Sequence, residues 1–158
     1  MSTQPVAHKV EIVELIDRYL AALDQKQLDL ATMSALFAAD ARVVRPHGGV
    51  MVGPQAIADS HGRSLSRFRA TQHLSSGFIV TLAEDQQTAK LRANLVAIHL
   101  WADGHGDPSA DPNDNYFVAG GVITGQVALS DDGWRITTLT NQPTWRRGVG
   151  FQQMLETR

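Results

Sequence analysis

The sequence predicts an α+β protein, with three helices from the first part of the chain packed on one face of a curved antiparallel sheet built by the rest. Two observations carry this reading. Apolar residues recur at helical spacing in the first part of the chain, and from residue 71 the period shortens to that of strands. The strand-like stretches are also long and joined by short polar connections, as neighbouring antiparallel strands are.

The first helix is expected over 7–23, where Ile12, Ile16, Tyr19, Leu20 and Leu23 fall on one face, and residues 1–8 read as a flexible tail. A short second helix covers 28–38 through Leu28, Met33, Leu36 and Phe37. A β run follows at 41–45, then a turn at Pro46-His47-Gly48-Gly49. Gly53-Pro54 opens a third helix over 54–67, since proline suits a first helical turn. Strands are expected at 72–82, 89–102, 116–130 and 133–141. Residues 83–87 divide the first pair, and Ser130-Asp131-Asp132-Gly133 is a hairpin signal between the last two. Ala119-Gly120-Gly121 and Gly125 suit a bulged, bent strand. No repeat or linker interrupts residues 1–158, which read as one domain.

Composition narrows the function. Hydrophobic residues make up 43% and charged residues 19%, with a net charge of −2, so neither nucleic acid nor an anionic membrane is an expected partner. With no cysteine there is no disulfide, thiolate metal site or Cys nucleophile. Met1-Ser2-Thr3-Gln4-Pro5 has no basic n-region and no apolar core follows it, so a cytoplasmic location is expected. The polar stretch 103–115 holds four Asp, but not at EF-hand spacing; it reads as a loop between strands that could gate a pocket. Nucleophile-elbow, phosphate-loop and dinucleotide signatures are absent, and no metal or cofactor is expected.

Three titratable residues occupy positions suited to a core. Asp24 is four residues past Leu20 and so closes the apolar helix face. His99 alternates with Leu91, Ala93, Leu95, Ala97 and Trp101, which turns it inward. His73 opens a strand whose next residues, Ser75-Ser76-Gly77, are small enough to leave space above the sheet. An inward carboxylate is destabilising unless paired, and the helix macrodipole opposes an anion at a C-terminus, so Asp24 is expected to bond the imidazole of His99. His8 and His105 are expected to be exposed, His47 lies in a turn, and His61 faces solvent or a helix contact.

The run Ile16-Asp17-Arg18-Tyr19-Leu20-Ala21-Ala22-Leu23-Asp24, then Leu36-Phe37-Ala38-Ala39-Asp40-Ala41, resembles the opening of SnoaL-like proteins of the nuclear transport factor 2-like superfamily. Thr71-Gln72-His73 and Asp132-Gly133-Trp134-Arg135-Ile136 fit the same pattern, and the likeness covers roughly residues 9–150. It implies a cone-shaped sheet closed by helices around a deep pocket. Within the superfamily the pattern is most similar to scytalone dehydratase, whose catalytic Asp and two histidines fall at Asp24, His73 and His99. A Ser and an Asn of that enzyme fall at Thr124 and Gln126, and a Trp at Trp145. Its two carbonyl-activating tyrosines fall at Leu23 and Arg45, so the resemblance carries over the proton-transfer core but not the scytalone substrate.

The expected function is cofactor-independent acid–base catalysis, by a dehydratase, cyclase or isomerase, on a small cyclic or polyketide-type substrate in an apolar pocket. His99 is the expected base, oriented by Asp24, and His73 the acid; Arg45, Tyr116, Thr124, Gln126 and Trp145 are expected to bind substrate. A non-catalytic ligand-binding or assembly module is one alternative. Epoxide hydrolase-like water addition is another, although no second inward carboxylate pairs with Arg45 to make its Asp–Arg–Asp arrangement. A homodimer is expected, because superfamily members commonly pair through their sheets and long apolar strands such as 116–129 leave a second face to cover.

Overall fold

The computed structural model describes residues 2–155. Helix α1 (Gln4–Asp24) is followed by α2 (Leu30–Leu36), β1 (Phe37–Val44), β2 (Val50–Val52) and α3 (Pro54–Leu65). Strands β3 (Phe68–Leu82), β4 (Thr88–Trp101), β5 (Tyr116–Ser130) and β6 (Gly133–Gly148) come next, and a 3-10 turn at Phe151–Met154 follows them. All six strands form one sheet in the order β2-β1-β6-β5-β4-β3, and α1 packs across it against β3 and β6. The fold is the α+β cone that the sequence predicts, with one correction to its sheet. β1 runs parallel to β6, placing Arg42 beside Thr138 and Val44 beside Thr140, so the sheet is mixed.

Local chemistry sets the element ends. Pro5 sits in the first turn of α1, where a missing N–H costs nothing. That helix begins at Gln4, so residues 4–8 of the expected tail are helical: His8 is buried and its Nδ1 accepts from the Trp134 indole at 3.1 Å. At the other end Lys26 adopts φ +54°, and the N–H groups of Lys26 and Gln27 return to the carbonyls of Leu23 and Ala22. That is a Schellman closure, which fixes the chain immediately beyond Asp24. Asp29 caps α2 by accepting from the Thr32 N–H at 2.8 Å. The helix expected to reach 38 stops at Leu36, because Phe37 is already extended and pairs with Ile136.

α1 buries the predicted stripe of Ile12, Ile16, Tyr19, Leu20 and Leu23. On β4, Leu91, Ala93, Leu95, Ala97, His99 and Trp101 are all buried, as their alternation implies. The glycines of β5 mark a bulge: Gly120 pairs with Trp145 and Gly121 with Pro143, so Thr144 is the extra residue on β6. This bends the sheet where it forms the pocket wall.

A Cβ at Gly121 would lie 2.2 Å from the Gln142 carbonyl oxygen and 2.6 Å from the Pro143 Cα, both rigid backbone atoms. Gly121→Ala is therefore expected to destabilise the fold by roughly 1–3 kcal/mol, read as a lower urea midpoint at unchanged slope. An unchanged midpoint would show that the bulge can slide.

Candidate active site

Between α1, α3 and the concave side of the sheet lies a cavity of about 190 Å³, closed at one end by the Phe151–Met154 turn. Its walls are mainly apolar, with Leu20 and Leu23 from α1, Leu95 from β4, Ile123 from β5 and Leu139 from β6. Against them stand a few polar groups, among them Tyr19, Arg45, His61, His73 and His99.

Asp24 and His73 are brought together. Asp24 Oδ1 accepts from His73 Nδ1 at 2.7 Å and from the Thr71 hydroxyl at 2.8 Å, while Oδ2 accepts from the His73 backbone N–H at 3.0 Å. A carboxylate held by three donors has one orientation. Burial pushes the Asp24 carboxyl upward, but the bonds from the His73 ring and backbone, the His73 charge and the Thr71 hydroxyl together leave it below the ordinary range. An ionised acceptor at Nδ1 assigns a ring proton there, which leaves Nε2 as the ring nitrogen not held by Asp24, on a residue that lines the cavity.

The expected Asp24–His99 bond does not form. His99 sits across from Thr71 on the neighbouring strand, and its ring stacks on Phe117 with centroids 4.2 Å apart. It meets the His73 ring edge-on at 5.7 Å, and its Nδ1 is buried without a hydrogen bond. Desolvation, reinforced by the nearby His73, lowers its pKa to about 4, against smaller opposing effects from Phe117, Asp24 and Ala97. His99 is therefore a neutral ring at physiological pH.

A second polar group faces the cavity from the helices. Tyr19 Oη and His61 Nε2 are 2.9 Å apart, joining α1 to α3. Desolvation, then the charges of Arg45 and His73, lower the His61 pKa to about 3, while burial raises that of the Tyr19 phenol despite Arg45. Both stay neutral. Arg45, just beyond β1, donates to the hydroxyls of Ser64 and Ser60 on α3.

Arg45 is thus the one expected substrate-binding residue that lines the cavity. Tyr116, Thr124 and Gln126 alternate with Phe117 and Ile123 along β5 and point to the other face of the sheet. Trp145 lays its indole over Gly120 and remains 49% exposed. In their place the structure supplies Tyr19, His61 and Asn141. His61 was legible: Ile57, Ala58, His61, Ser64 and Leu65 share the inward face of α3 at helical spacing. Tyr19 was hidden by its own apolar ring, which fits a core stripe as well as a site.

The 103–115 loop contributes no wall of the cavity. Instead the Asn115 amide bonds His105 O and Asp107 N, and the Gln153 side chain grips both the N–H and the carbonyl of Gly106. The loop thereby anchors the turn that closes the cavity. His105 is half-buried rather than exposed, its ring stacked near Trp101. Among the described residues no group of three His, Cys, Asp or Glu could hold a metal ion, and no helix is long and apolar enough to cross a membrane.

Residues 4–140 match the SnoaL-like domain family. The chain belongs to that family. Among solved structures it is similar to the Kfla4162 protein from Kribbella flavida, at TM-score 0.79 and 19% identity over 90% of this chain and 95% of that one. A candidate scytalone dehydratase from Novosphingobium aromaticivorans superposes at TM-score 0.78 and 18% identity, covering 94% and 91% of the two chains. The hexachlorocyclohexane dehydrochlorinase LinA-type3 from Novosphingobium barchaimii gives 0.76 and 14%, with 91% of each chain covered. At these identities the likeness is one of fold, which is nuclear transport factor 2-like as the sequence resemblance implied. No curated protein is recognisably similar in sequence.

The lowered pKa values set an acid sensitivity. His99 and His61 bind protons more readily in the unfolded chain than in the fold, so stability rises with pH between about 4 and the ordinary histidine value near 6.5. Below that value it is progressively lost, and Asp24, with its lowered pKa, adds to the loss as acid protonates it. His99→Phe, which keeps a ring on Phe117, is expected to recover on the order of 2 kcal/mol of the loss between pH 7 and 4.5. Denaturant midpoints of the two proteins at both pH values check this; parallel acid losses would place the titration elsewhere.

Proposed function

We propose that the protein is a cofactor-independent acid–base enzyme that eliminates water from, or isomerises, a small and largely apolar cyclic substrate. The observation that carries this reading is the 2.7 Å bond between Asp24 Oδ1 and His73 Nδ1 at the edge of a mainly apolar cavity. A neutral imidazole with a fixed tautomer and a carboxylate behind it is a competent general base. In this reading His73 Nε2 takes a proton from the carbon next to a carbonyl. The C–H electron pair forms the double bond as the C–O bond of a leaving hydroxyl breaks, and the hydroxyl departs as water with the proton His73 carries. Asp24 stabilises the intervening imidazolium.

These roles reverse those expected from the sequence. His73 becomes the base because it holds the carboxylate, and His99, neutral and stacked on Phe117, becomes a wall of the cavity that keeps water from the base. Membership of the SnoaL-like family supports the reading, as do neighbours of the same fold named for dehydration and dehydrochlorination. Water addition of the epoxide hydrolase type is not favoured, since the partners of Arg45 are serine hydroxyls rather than carboxylates.

The test is dehydration of a cyclic β-hydroxyketone such as 3-hydroxycyclohexanone, followed by enone absorbance. Asp24→Asn keeps an acceptor for the His73 backbone N–H at the Oδ2 position but places its amide N–H where Oδ1 stood, facing His73 Nδ1, which moves the ring proton to Nε2 and removes the base. Turnover should fall by about 10²-fold or more in Asp24→Asn and in His73→Gln, with circular dichroism and melting cooperativity retained. Equal rates in wild type and both variants would sink the mechanism.

We also propose a homodimer through the sheet. Leu74 is 49% and Ile79 61% exposed on β3, an edge strand of the sheet, and a second subunit would cover them. Sedimentation velocity at micromolar concentration should show a species near twice 17.2 kDa; a monomer alone would refute it.

A further inference from the structure

Two arginines, Arg45 and Arg146, line the cavity, and no Asp or Glu among the described residues does. Asp24, the acid next to the site, has its carboxylate engaged by His73 and Thr71. Arg146 is exposed at the rim with its guanidinium over the Phe151 ring, but Arg45 is half-buried in the wall. Its guanidinium bonds two neutral hydroxyls, those of Ser64 and Ser60, which occupy two of its five donors and cancel none of its charge. A cation partly removed from water is costly unless an anion joins it, and among the described residues no carboxylate does.

The cation is also positioned. Ser60 and Ser64 are one turn apart on α3 and orient the fork, and His61 and Tyr19 stand beside it as neutral hydrogen-bonding groups. Because His61 feels the charges of both Arg45 and His73, the polar end of the cavity lies within electrostatic reach of the base. Aliphatic side chains, among them Leu23, Leu95 and Ile123, make up much of the remaining wall.

We propose that the substrate is a small organic carboxylate whose anionic oxygens dock on Arg45, beside the Tyr19–His61 pair, with its apolar body along the aliphatic wall toward His73. A planar carboxylate matches the guanidinium fork, and the docked cation would also favour negative charge growing on oxygen as the C–H bond breaks. The inference rests on the acid–base reading for its purpose, but its test is a binding measurement, which can fail while proton transfer by His73 stands.

Benzoate and its neutral isostere benzamide are the probes, titrated at neutral pH and followed by NMR. Benzoate should bind at least tenfold more tightly than benzamide, both to the wild type and to His73→Gln. Arg45→Met should lose that preference while keeping its benzamide affinity, and Arg45→Lys should keep part of it, since lysine retains the charge without the fork. In the wild type, benzoate should shift the ring resonances of Tyr19 and His61, a readout that holds even if Arg45→Met fails to fold. Benzoate binding no tighter than benzamide, a preference that survives in Arg45→Met, or benzoate leaving both rings unshifted would each overturn the proposal.

Discussion

The contact between the end of α1 and the start of β3 is the constraint on which the rest of the site depends. A carboxylate in the last turn of a helix is opposed by the helix dipole and, half-buried, by desolvation. Asp24 is tolerated there because three donors from β3 converge on it. Two of these, the Thr71 hydroxyl and the His73 ring, come from residues i and i+2 of one strand, whose side chains share a face, and the third is the backbone N–H of His73 itself. The Lys26 ammonium adds a bond to the Phe68 carbonyl at 2.6 Å, so the helix end is tied to the strand on both sides of the site. One packing contact thus sets the tautomer of His73, the ionisation of Asp24 and the angle at which α1 covers the sheet.

The polar groups of the cavity divide into two sets with different electrostatics. At the β3 edge an ionised Asp24 supports an imidazole that can gain a proton. At the α3 wall a cation stands with Tyr19 and His61, neither of which carries charge at neutral pH. Between them His99 is buried and uncharged. A substrate spanning the cavity would meet a base at one end and a positive field at the other, a polarity suited to removing a proton from carbon.

Much of the fold was legible in the sequence because its signals are local. The α1 stripe, the alternation of β4 and the β5–β6 hairpin each follow from residues within a few positions of one another. The parallel pairing of β1 with β6 brings together residues such as Val43 and Leu139, far apart in the chain, and no local period encodes a strand's direction. β2 is three residues long and too short to show a period. β6 runs on to Gly148 through Pro143 and Arg146, where a bulge and exposed polar residues erase the alternation that identified its first half. His8 shows the same limit: it is half of a pair whose other member, Trp134, comes from a distant element.

The exchange of partners at Asp24 follows from strand register. Alternation turns both His73 and His99 inward, and nothing in either strand alone says which one meets the helix. In the sheet His99 pairs with Thr71, while His73 lies two residues further along β3, opposite Ala97. β3 is an edge strand against which α1 packs, whereas β4 lies one strand further in. The carboxylate therefore reaches the imidazole on the near strand first, and the imidazole on the far strand is left to stack on Phe117 of β5. A more hydrophobic setting made His99 look like the better partner in the sequence. The same setting, with its desolvation cost, is what bars it from taking the proton.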